Sequence, residues 1–441
     1  MRVALISTYE LGRQPFGLAS PAGWLAARGH EAICVDLCVE RLPLEVIQGA
    51  DLVAFYLPMH TATRLALKAI ERVREVNPAV PLCCYGLYAP LNAAYLRKLG
   101  VETILGGEFE TGLAQAVERL ERGGGSQIEP LVSLERQQFV IPDRSSLPGL
   151  ETYAKLRVNG GARTAGYTEA SRGCKHRCRH CPVVPVYNGQ FRVVQPEIVL
   201  EDMRRQVAAG ASHITFGDPD FFNGPAHAMR IVEALHQEFP LLTYDATIKI
   251  EHLRKHRDLL PALQRTGCMF VTSAVESVDD AVLEKLEKGH TRRDFMEVAG
   301  EFRRLGMTLA PTFIPFTPWT TVESYRDLLE VLAGLELIEN VGPIQLALRL
   351  LIVSGSRLLE LEEVRAVVSS YDEAALLYRW SHREPEVDAL AARAMKCAVS
   401  KGSRRELFAS FWELVHEARF HEPVDLIPRA AIPYMDEPWY C

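Results

Sequence analysis

Short apolar strands alternate with amphipathic helices in two separate series, and this alternation restricts the fold more than any other feature. The first series occupies residues 1–122 and contains five strand–helix steps, among them "RVALIST" (2–8) and "DLVAFYLP" (51–58). Apolar residues of "TATRLALKAIERVREV" (61–76) recur at helical spacing. We therefore predict an α/β fold that begins with a doubly wound parallel sheet, whose ligands bind at the carboxyl ends of its strands.

The second series occupies residues 164–355 and predicts a partial (β/α)6 barrel, again with its site at the strand carboxyl ends. Its six strands are expected at 166–171, 213–218, 242–250, 268–277, 308–316 and 344–352. Residues 123–163 contain "RGGGSQ" and several prolines, which predicts a linker. Residues 356–441 are expected to be a helical region that ends in an extended, aromatic-rich tail.

Composition narrows the setting of the chain. Its 441 residues carry a net charge of −7, so there is no broad basic field, and we expect no nucleic-acid partner. No run of 18 apolar residues occurs, and "MRVALISTYE" (1–10) resembles a buried strand more than a signal peptide. Ten cysteines without an export signal indicate reduced thiols, metal chemistry and a cytoplasmic location.

The stretch "RGCKHRCRHCP" (172–182) holds the clearest chemical signal. Cys174, Cys178 and Cys181 have the spacing C-x3-C-x2-C, directly after the first strand of the second series. Three thiolates on a 4Fe-4S cluster leave one iron without a protein ligand, free to bind a small molecule. The alternative is a closed zinc site in which His176 or His180 is the fourth ligand, although no second cysteine or histidine pair follows.

This loop resembles the motif that defines the radical SAM superfamily. The resemblance implies that the open iron chelates the amino and carboxylate groups of S-adenosylmethionine, and that an electron from the cluster cleaves its sulfonium to give a 5′-deoxyadenosyl radical. Three further stretches agree with the family pattern. They are "FGDPDFF" (216–222), "VTSAVESVDDAVLEKLEKGHT" (271–291) and "LRLLIVSGSRLL" (348–359).

The resemblance also implies which residues orient S-adenosylmethionine. Asp218 or Asp220 would accept a hydrogen bond from its amino group, and Glu276, followed by Ser277, would contact its ribose or methionine end. Lys249 occupies a position where relatives often carry arginine. Taken alone, each motif also fits a plain feature, such as a turn or a surface carboxylate before a helix.

A Rossmann-like domain before such a barrel resembles the cobalamin-binding class of radical SAM enzymes, which implies methyl transfer to carbon as one reaction. The D-x-H-x-x-G signature that supplies a histidine to cobalt is absent, and His30 and His60 lie outside any such context. The best candidate lining is "PMHTATRL" (58–65). The alternative for this stretch is a helix start capped by Thr61 or Thr63.

We therefore expect a radical SAM enzyme that acts on a small-molecule or peptide substrate and receives electrons from a flavodoxin or ferredoxin. The alternative is a non-catalytic iron–sulfur protein that binds metal or transfers electrons. The final Cys441 follows "IPYMDEPWY", which resembles a cobalamin-type family whose members end in Cys-Cys-Ala-Glu-Pro or Cys-selenocysteine-Ala-Glu-Pro. We expect this sequence to be a truncated selenoprotein, which UGA after codon 441 would support.

Overall fold

The computed structural model describes residues 1–417, 419–421 and 431–436. It contains two parallel sheets, one in each predicted strand–helix series, and a C-terminal region beside the second. The α/β fold class is therefore confirmed. None of the helices within the described residues is long and apolar enough to cross a membrane.

The N-terminal sheet has six parallel strands in the order β2-β1-β3-β4-β5-β6. Its strands are β1 (Arg2–Ser7), β2 (Glu31–Asp36), β3 (Leu52–Tyr56), β4 (Leu82–Tyr85), β5 (Thr103–Gly107) and β6 (Val132–Ser133). Its helices are α1 (Phe16–Ala26), α2 (Leu44–Gln48), α3 (His60–Val76), α4 (Tyr88–Leu91), α5 (Ala93–Lys98) and α6 (Phe109–Glu121). Separate apolar cores cover the two faces of the sheet, as expected for a doubly wound sheet.

The strand order of this sheet reverses direction at β1, because β2 lies on one side of it and β3 on the other. In open α/β sheets such a switch point opens a crevice at the carboxyl ends of the strands. Here the crevice is bounded by the loop after β1 and by the turn from β3 into α3. Both segments face the second sheet.

The second sheet has seven strands in the order β14-β13-β12-β11-β8-β7-β17. Its parallel strands are β8 (Gly161–Thr168), β11 (His213–Phe216), β12 (Thr243–Thr247), β13 (Cys268–Glu276) and β14 (Thr308–Phe313), while β7 (Lys155–Val158) and β17 (Tyr434–Met435) run antiparallel at one edge. A short hairpin, β9 (Ser171–Gly173) with β10 (Phe191–Val193), follows β8.

Helices cover the outside of this curved sheet and bury its main core. They are α7 (Val184–Tyr187), α8 (Pro196–Ala208), α9 (Pro225–Glu238), α10 (Ile250–Lys255), α11 (Leu260–Arg265), α12 (Asp280–Lys285), α13 (Arg292–Leu305) and α14 (Val322–Gly334). Local sequence sets several of their ends. For example, α13 begins with a capping box between Thr291 and Asp294 and ends at Gly306, whose φ of 64° suits glycine.

The sixth barrel strand expected at 344–352 does not form. Pro343 instead starts a 3-10 turn that runs to Leu346, and the segment reaches the sheet through a single bridge between Phe316 and Arg349. Backbone hydrogen bonds flank this bridge on both sides. The predicted partial barrel is therefore present, with five parallel strands and a single parallel bridge at its sixth position.

The predicted linker contributes to both sheets. Within 123–163, β6 joins the N-terminal sheet, and β7 together with the start of β8 joins the barrel sheet. These strands tie the two sheets together over a short stretch of chain. The domain boundaries 122/123, 163/164 and 355/356 stay predictions.

The C-terminal region is not entirely helical. Besides α15 (Glu362–Arg365), α16 (Pro385–Ala398) and α17 (Arg404–Glu413), it contains a hairpin of β15 (Val368–Asp372) and β16 (Leu377–Trp380). The rings of Tyr371 and Tyr378 pack 5.1 Å apart across this hairpin. Cross-strand aromatic pairs stabilise such hairpins, which explains why the expected helix is absent here.

The described part of the tail is extended. Tyr434 and Met435 form β17 against β7, and Asp436 Oδ2 pairs with Arg157 Nε at 2.6 Å. Residues 432–435 thereby line the large cavity described below. Cys441, on which the selenocysteine prediction depends, lies outside the described residues.

Candidate functional site

The cysteine loop leaves the β9–β10 hairpin and packs against the N-terminal region. Gly173, the last residue of β9, has a φ of +73°, and a Cβ there would lie 2.3 Å from the Tyr187 ring, so the turn into the loop requires glycine. Val183 and Val186 pack beside Cys174 and Cys181 in the same apolar cluster, together with Leu87 and Leu91. The loop is therefore held between the barrel and the N-terminal sheet.

The three thiols of Cys174, Cys178 and Cys181 are free and lie close enough to influence one another electrostatically. Burial is the largest effect: it raises the pKa of Cys174 to about 11 and that of Cys181 to about 12, and the neighbouring thiols add to the rise. Buried thiols with raised pKa values need a nearby cation to become thiolates. A metal cluster supplies such a cation, so the donor set fits the expected 4Fe-4S site.

Two buried lysines add positive charge around these thiols. Lys249 Nζ lies 3.8 Å from Cys178 Sγ. Burial would lower the pKa of Lys288, but Glu276, followed by Cys178 and Cys181, raises it. Lys249 and Lys288 are 7% and 3% exposed. Cationic neighbours offset the negative charge of a cysteine-ligated cluster, so both lysines suit this position.

Glu276 lies at the end of β13 in a buried charge network. Its Oε1 is 3.3 Å from Lys288 Nζ and 3.1 Å from His180 Nε2. Burial alone would raise its pKa, but Lys288 and His180 outweigh burial and lower the pKa to about 2. The carboxylate is thus ionised, and the expected alternative of an exposed surface carboxylate was wrong.

The backbone of Glu276 is strained. Its φ is +71°, and the pairing of β13 with β14 shifts register at this residue. Non-glycine residues in this region persist only where the surroundings hold them, and they cluster at functional sites. Ser277, the next residue, accepts a hydrogen bond from the Asp279 N–H at 3.0 Å and so helps turn the chain toward α12.

Asp218, which follows β11, forms hydrogen bonds to the two residues 170 and 171 that precede the cysteine loop. Its two oxygens accept hydrogen bonds from the Ala170 N–H at 2.9 Å and from Ser171 Oγ at 2.5 Å. Burial raises its pKa to about 7, although these two hydrogen bonds oppose the rise. Asp218 also lines the cavity, so it lies between the loop and the space where a ligand would bind.

Asp220 is fully buried and lies farther from the cavity. Its Oδ1 accepts a hydrogen bond from the Phe222 N–H at 3.2 Å, and its Oδ2 lies 2.7 Å from His252 Nδ1. Asp220 is not among the residues that line the cavity. Of the two aspartates suggested for S-adenosylmethionine, Asp218 is therefore the better placed.

The histidines considered as a fourth ligand for a closed zinc site have other partners. His180 Nε2 contacts Glu276, and His176 Nε2 lies 3.1 Å from His252 Nε2. These contacts direct both rings toward neighbouring elements. The geometry thus favours a three-cysteine site over a closed one.

A cavity of about 480 Å³ opens between the carboxyl edges of the two sheets. The barrel side contributes apolar side chains together with the hydroxyl and carboxyl groups of Tyr167, Thr215, Asp218, Asp245, Thr247, Thr272, Thr308 and Thr312. The N-terminal side contributes Glu10, Arg13, Tyr56, Pro58, Met59, Leu87 and Phe109. Ligand pockets commonly have this size and lie between domains.

The N-terminal wall of the cavity includes the predicted segment 58–65 only in part. Pro58 and Met59 line the cavity, whereas α3 begins at His60. Thr63 does not cap α3; its Oγ1 donates to the Met59 carbonyl from inside the helix at 2.8 Å. His60 Nε2 lies 2.7 Å from the Ala375 carbonyl, and no histidine occurs among the described residues that line the cavity.

A buried ion-pair network joins the N-terminal sheet to the cysteine loop. Arg172, two residues before Cys174, lies 2.6 Å from Glu110 Oε1 and 2.7 Å from Glu169 Oε2. Glu108 Oε1 accepts a hydrogen bond from Tyr187 at 3.0 Å. Removing one partner from such a network would leave a buried charge uncompensated, which is costly.

Sequence reasoning missed several of these residues. It noted Lys288 only as the end of a motif and gave no role to His252, Glu10 or Arg172. His252 and Glu10 each follow closely on a strand end, where polar residues of a parallel sheet gather. Their position just after a strand end could have marked them as candidates, but it does not show which polar residues contact one another.

Comparison with known proteins identifies the barrel. Residues 168–332 match the model of the family described as the Radical SAM superfamily. This span includes the cysteine loop, β11 to β14 and Glu276. A radical SAM domain implies a 4Fe-4S cluster and S-adenosylmethionine, so the cluster expected from the cysteine spacing and the S-adenosylmethionine implied by the resemblance are confirmed at the level of the domain.

Two curated relatives are similar over much of the chain. tRNA-2-methylthio-N(6)-dimethylallyladenosine synthase of Moorella thermoacetica is 24% identical over 295 residues, which cover 61% of this chain and 60% of that protein. Hopanoid C-3 methylase of Methylococcus capsulatus is 26% identical over 323 residues, which cover 69% and 62%. The chain thus spans about three-fifths of the length of these relatives.

Two solved structures share the fold. The radical S-adenosylmethionine methyltransferase TsrM from Kitasatospora setae, with tryptophan substrate and a SAM analogue bound, superposes with a TM-score of 0.68 at 17% identity over 98% of this chain and 92% of that one. The cobalamin-dependent enzyme OxsB, with aqua-cobalamin and S-adenosylmethionine bound, gives 0.67 at 12% identity over 93% and 70%. Together with the family match over residues 168–332, the cysteine loop and the barrel show that this chain carries a radical SAM domain.

Proposed function

We propose that the chain is a cobalamin-dependent radical SAM methyltransferase. The observation that carries this proposal is the cavity between the barrel edge, with its cysteine loop, and the switch-point edge of the N-terminal sheet. Such a cavity allows two cofactors held by different sheets to meet the same substrate. Both superposed structures, TsrM and OxsB, are named as radical SAM enzymes.

Cys174, Cys178 and Cys181 would hold the cluster. When bound there, the cluster supplies the electron that cleaves S-adenosylmethionine. The three side chains would act as thiolates, and Lys249 and Lys288 would stabilise their negative charge from within the buried loop. Burial of the loop against Leu87 and Leu91 would exclude water from this site.

Glu276 and Asp218 would orient S-adenosylmethionine. Glu276 is ionised and fixed by Lys288 and His180, so its free carboxylate oxygen can accept a hydrogen bond without reorganisation. Asp218 would position the cysteine loop through Ala170 and Ser171 while facing the cavity. Ser277 would act indirectly, because it stabilises the turn that follows Glu276. Asp220 would likewise act indirectly, because it stabilises the loop after β11.

The N-terminal wall offers polar groups that suit cobalamin. Glu10 is buried, its Oε2 has no hydrogen-bond partner among the described residues, and burial followed by the nearby Glu169 raises its pKa well above the usual value. A protonated carboxyl can both donate to and accept from a primary amide, and cobalamin carries several such amides. When bound, cobalamin supplies methyl transfer chemistry, and no described cavity histidine would ligate its cobalt.

The remaining elements of the proposal concern partners. The reaction needs a reductant, for which we propose a flavodoxin or ferredoxin in the cytoplasm, and a small molecule or peptide as substrate. The alternative of a non-catalytic electron-transfer protein is not favoured, since the family match identifies an enzyme domain.

The products of S-adenosylmethionine provide the test. Anaerobically reconstituted full-length protein would be incubated with reductant and a panel of small-molecule and peptide substrates, with and without hydroxocobalamin. We expect S-adenosylhomocysteine and a methylated product only when cobalamin is present, both measured by mass spectrometry. Formation of 5′-deoxyadenosine alone, at a rate independent of cobalamin, would contradict methyl transfer.

A further inference from the structure

Two histidines and an aspartate meet beside the cysteine loop, and none of the three lines the cavity. His176 belongs to the loop itself, Asp220 follows β11, and His252 lies on α10, directly after β12. One nitrogen or oxygen from each residue lies within 4.8 Å of the others. Three separate elements therefore bring potential metal ligands to one point.

Asp220 and His252 point at each other without forming a hydrogen bond. They are 0% and 1% exposed, and Asp220 Oδ2 lies 2.7 Å from His252 Nδ1. Neither atom has a hydrogen-bond partner of acceptable geometry among the described residues. Asp220 Oδ1 already accepts the Phe222 N–H, whereas Oδ2 is a buried polar atom that lies within ion-pair distance of His252 but has no hydrogen bond among the described residues. Such atoms are rare in folded proteins, and a bound ion is one explanation for them.

The His176 ring fits the arrangement of a metal ligand. Its Nδ1 faces Glu251 Oε2 at 3.4 Å, while its Nε2 lies 3.1 Å from His252 Nε2 and 3.9 Å from Asp220 Oδ2. A histidine that donates one ring N–H to a carboxylate presents the other nitrogen as a lone pair, as ligating histidines do. Glu251 would be the carboxylate that sets this tautomer.

We propose that His176, His252 and Asp220 bind one divalent transition-metal ion, of the class represented by Zn²⁺. Two imidazole nitrogens and a carboxylate oxygen form a donor set that suits zinc and ferrous iron. Metal–ligand bonds of about 2.0–2.2 Å place two ligands of one ion roughly 3–4 Å apart. The separations from His176 Nε2 to His252 Nε2 (3.1 Å) and to Asp220 Oδ2 (3.9 Å) fall in that range, so His252 Nε2 is the ligating nitrogen. The other ring nitrogen, His252 Nδ1, lies 2.7 Å from the same carboxylate oxygen. Thiolates take no part in this site.

The ion would fasten the cysteine loop to the barrel. His176 lies between Cys174 and Cys178, whereas Asp220 and His252 follow two neighbouring barrel strands. The partial exposure of His176 and Glu251, at 15% and 34% of their side chains, gives an ion a path from solvent. The inference does not depend on cobalamin or on methyl transfer.

The inference is tested by zinc binding to the full-length protein in which the 4Fe-4S cluster is already assembled. One equivalent of Zn²⁺ would be added anaerobically, free zinc removed on a desalting column, and metal content and zinc X-ray absorption measured. We expect one zinc per chain with nitrogen and oxygen ligands at about 2.0 Å. His252→Asn and Asp220→Asn should each lose that zinc and keep their iron, whereas the matched control His256→Asn, whose ring lies 6.1 Å from that of His252, should retain it.

Three results would overturn the inference. The first is no retained zinc, and the second is zinc with sulfur ligands at about 2.3 Å, which would place it at the cysteines. The third is equal zinc retention in the control and in both His252→Asn and Asp220→Asn, which would indicate an adventitious ion only. Iron content and circular dichroism show whether each variant is folded, and Asp220→Asn, which conserves size, serves if His252→Asn fails to fold.

Discussion

Two carboxyl edges face one cavity, and they are built differently. The barrel edge carries three thiols, two buried lysines and Glu276, with ion pairs and hydrogen bonds of about 3–4 Å linking many of them. The N-terminal edge carries aromatic and aliphatic side chains and a buried carboxyl, Glu10, that has an unpartnered oxygen. The barrel edge thus contains charged side chains that are held by ion pairs. The N-terminal edge is mainly an apolar wall with a carboxyl oxygen that is available for hydrogen bonding.

This difference indicates a division of labour. Buried charged groups need partners, and on the barrel edge Glu276 and Lys288 partner each other 3.3 Å apart, so this edge suits a charged cofactor. The N-terminal edge has fewer internal constraints and can accept a large, neutral ligand through contact area and amide hydrogen bonds. Substitutions on the barrel edge should therefore abolish chemistry, and those on the N-terminal edge should change affinity.

The largest expected effect is the loss of a cluster ligand. Cys178→Ala should abolish reductive cleavage of S-adenosylmethionine, because it removes one of three thiolates, and iron content should fall. Cys38→Ala, a half-buried thiol beside the N-terminal sheet, is the matched control and should keep full activity. Equal activity in the two variants, measured as 5′-deoxyadenosine formed, would remove the distinction between the two edges.

A smaller effect is expected at Glu276. Glu276→Gln should weaken S-adenosylmethionine binding by about 10- to 150-fold, because a hydrogen bond to a charged group contributes about 1.5–3 kcal/mol. Iron content should stay near that of the wild type. Glu284→Gln, an exposed carboxylate on α12, is the control. A dissociation constant that is the same in both variants, by equilibrium dialysis, would exclude Glu276 from the cofactor site.

On the N-terminal edge we expect a weaker effect on another ligand. Glu10→Ala should weaken hydroxocobalamin binding by up to about tenfold, since a neutral hydrogen bond contributes about 0.5–1.5 kcal/mol. The cleavage of S-adenosylmethionine should be unchanged. Glu45→Ala on the short helix α2 is the control. If Glu10→Ala instead lost iron or cleavage activity, the separation of roles between the edges would be wrong.

Two last predictions concern how the stability of the metal-free protein changes with pH. The change has opposite signs for two carboxyl groups of the barrel edge, those of Glu276 and Asp218. The pKa of Glu276 is lowered from 4.5 to about 2, so its ionisation stabilises the fold above pH 4.5 and this contribution is lost as pH falls toward 2. Glu276→Gln should therefore be destabilised relative to wild type at pH 5, with the difference shrinking in acid.

Asp218 should behave in the opposite way. Its pKa is raised from 3.8 to about 7, so its ionisation disfavours the fold, and wild-type stability falls as pH rises through this range. Asp218→Asn should gain stability relative to wild type between pH 4 and 7 and show no further change above 7. Urea unfolding across this pH range gives the free energy of unfolding of each variant relative to wild type. The same pH dependence of this difference in Glu276→Gln and Asp218→Asn would contradict both predictions.

The sequence predicted those parts of the molecule that depend on local spacing. The thiols of Cys174, Cys178 and Cys181 lie within eight residues, so their meeting requires only a loop at a strand end. Both parallel sheets follow from the alternation of strands and helices, because each step repeats the same local pattern. The radical SAM domain inferred from these features is confirmed for residues 168–332.

Contacts between distant residues could not be predicted. His180 meets Glu276 across 96 positions, and His176 meets His252 across 76. Which polar residue at one strand end faces which at the next depends on strand register and helix position, and neither can be read from the sequence. At 344–352 the structure forms only one parallel bridge, and a 3-10 turn that starts at Pro343 precedes it.

The central claim is that three cysteines hold a cluster with one iron open to S-adenosylmethionine. The most direct measurement is the electron paramagnetic resonance spectrum of the reduced, fully loaded protein with and without this cofactor. The account predicts a clear shift of the g values on addition of S-adenosylmethionine, because an iron without a protein ligand can bind it. An unchanged spectrum at saturating S-adenosylmethionine, with four irons per chain, would contradict the account.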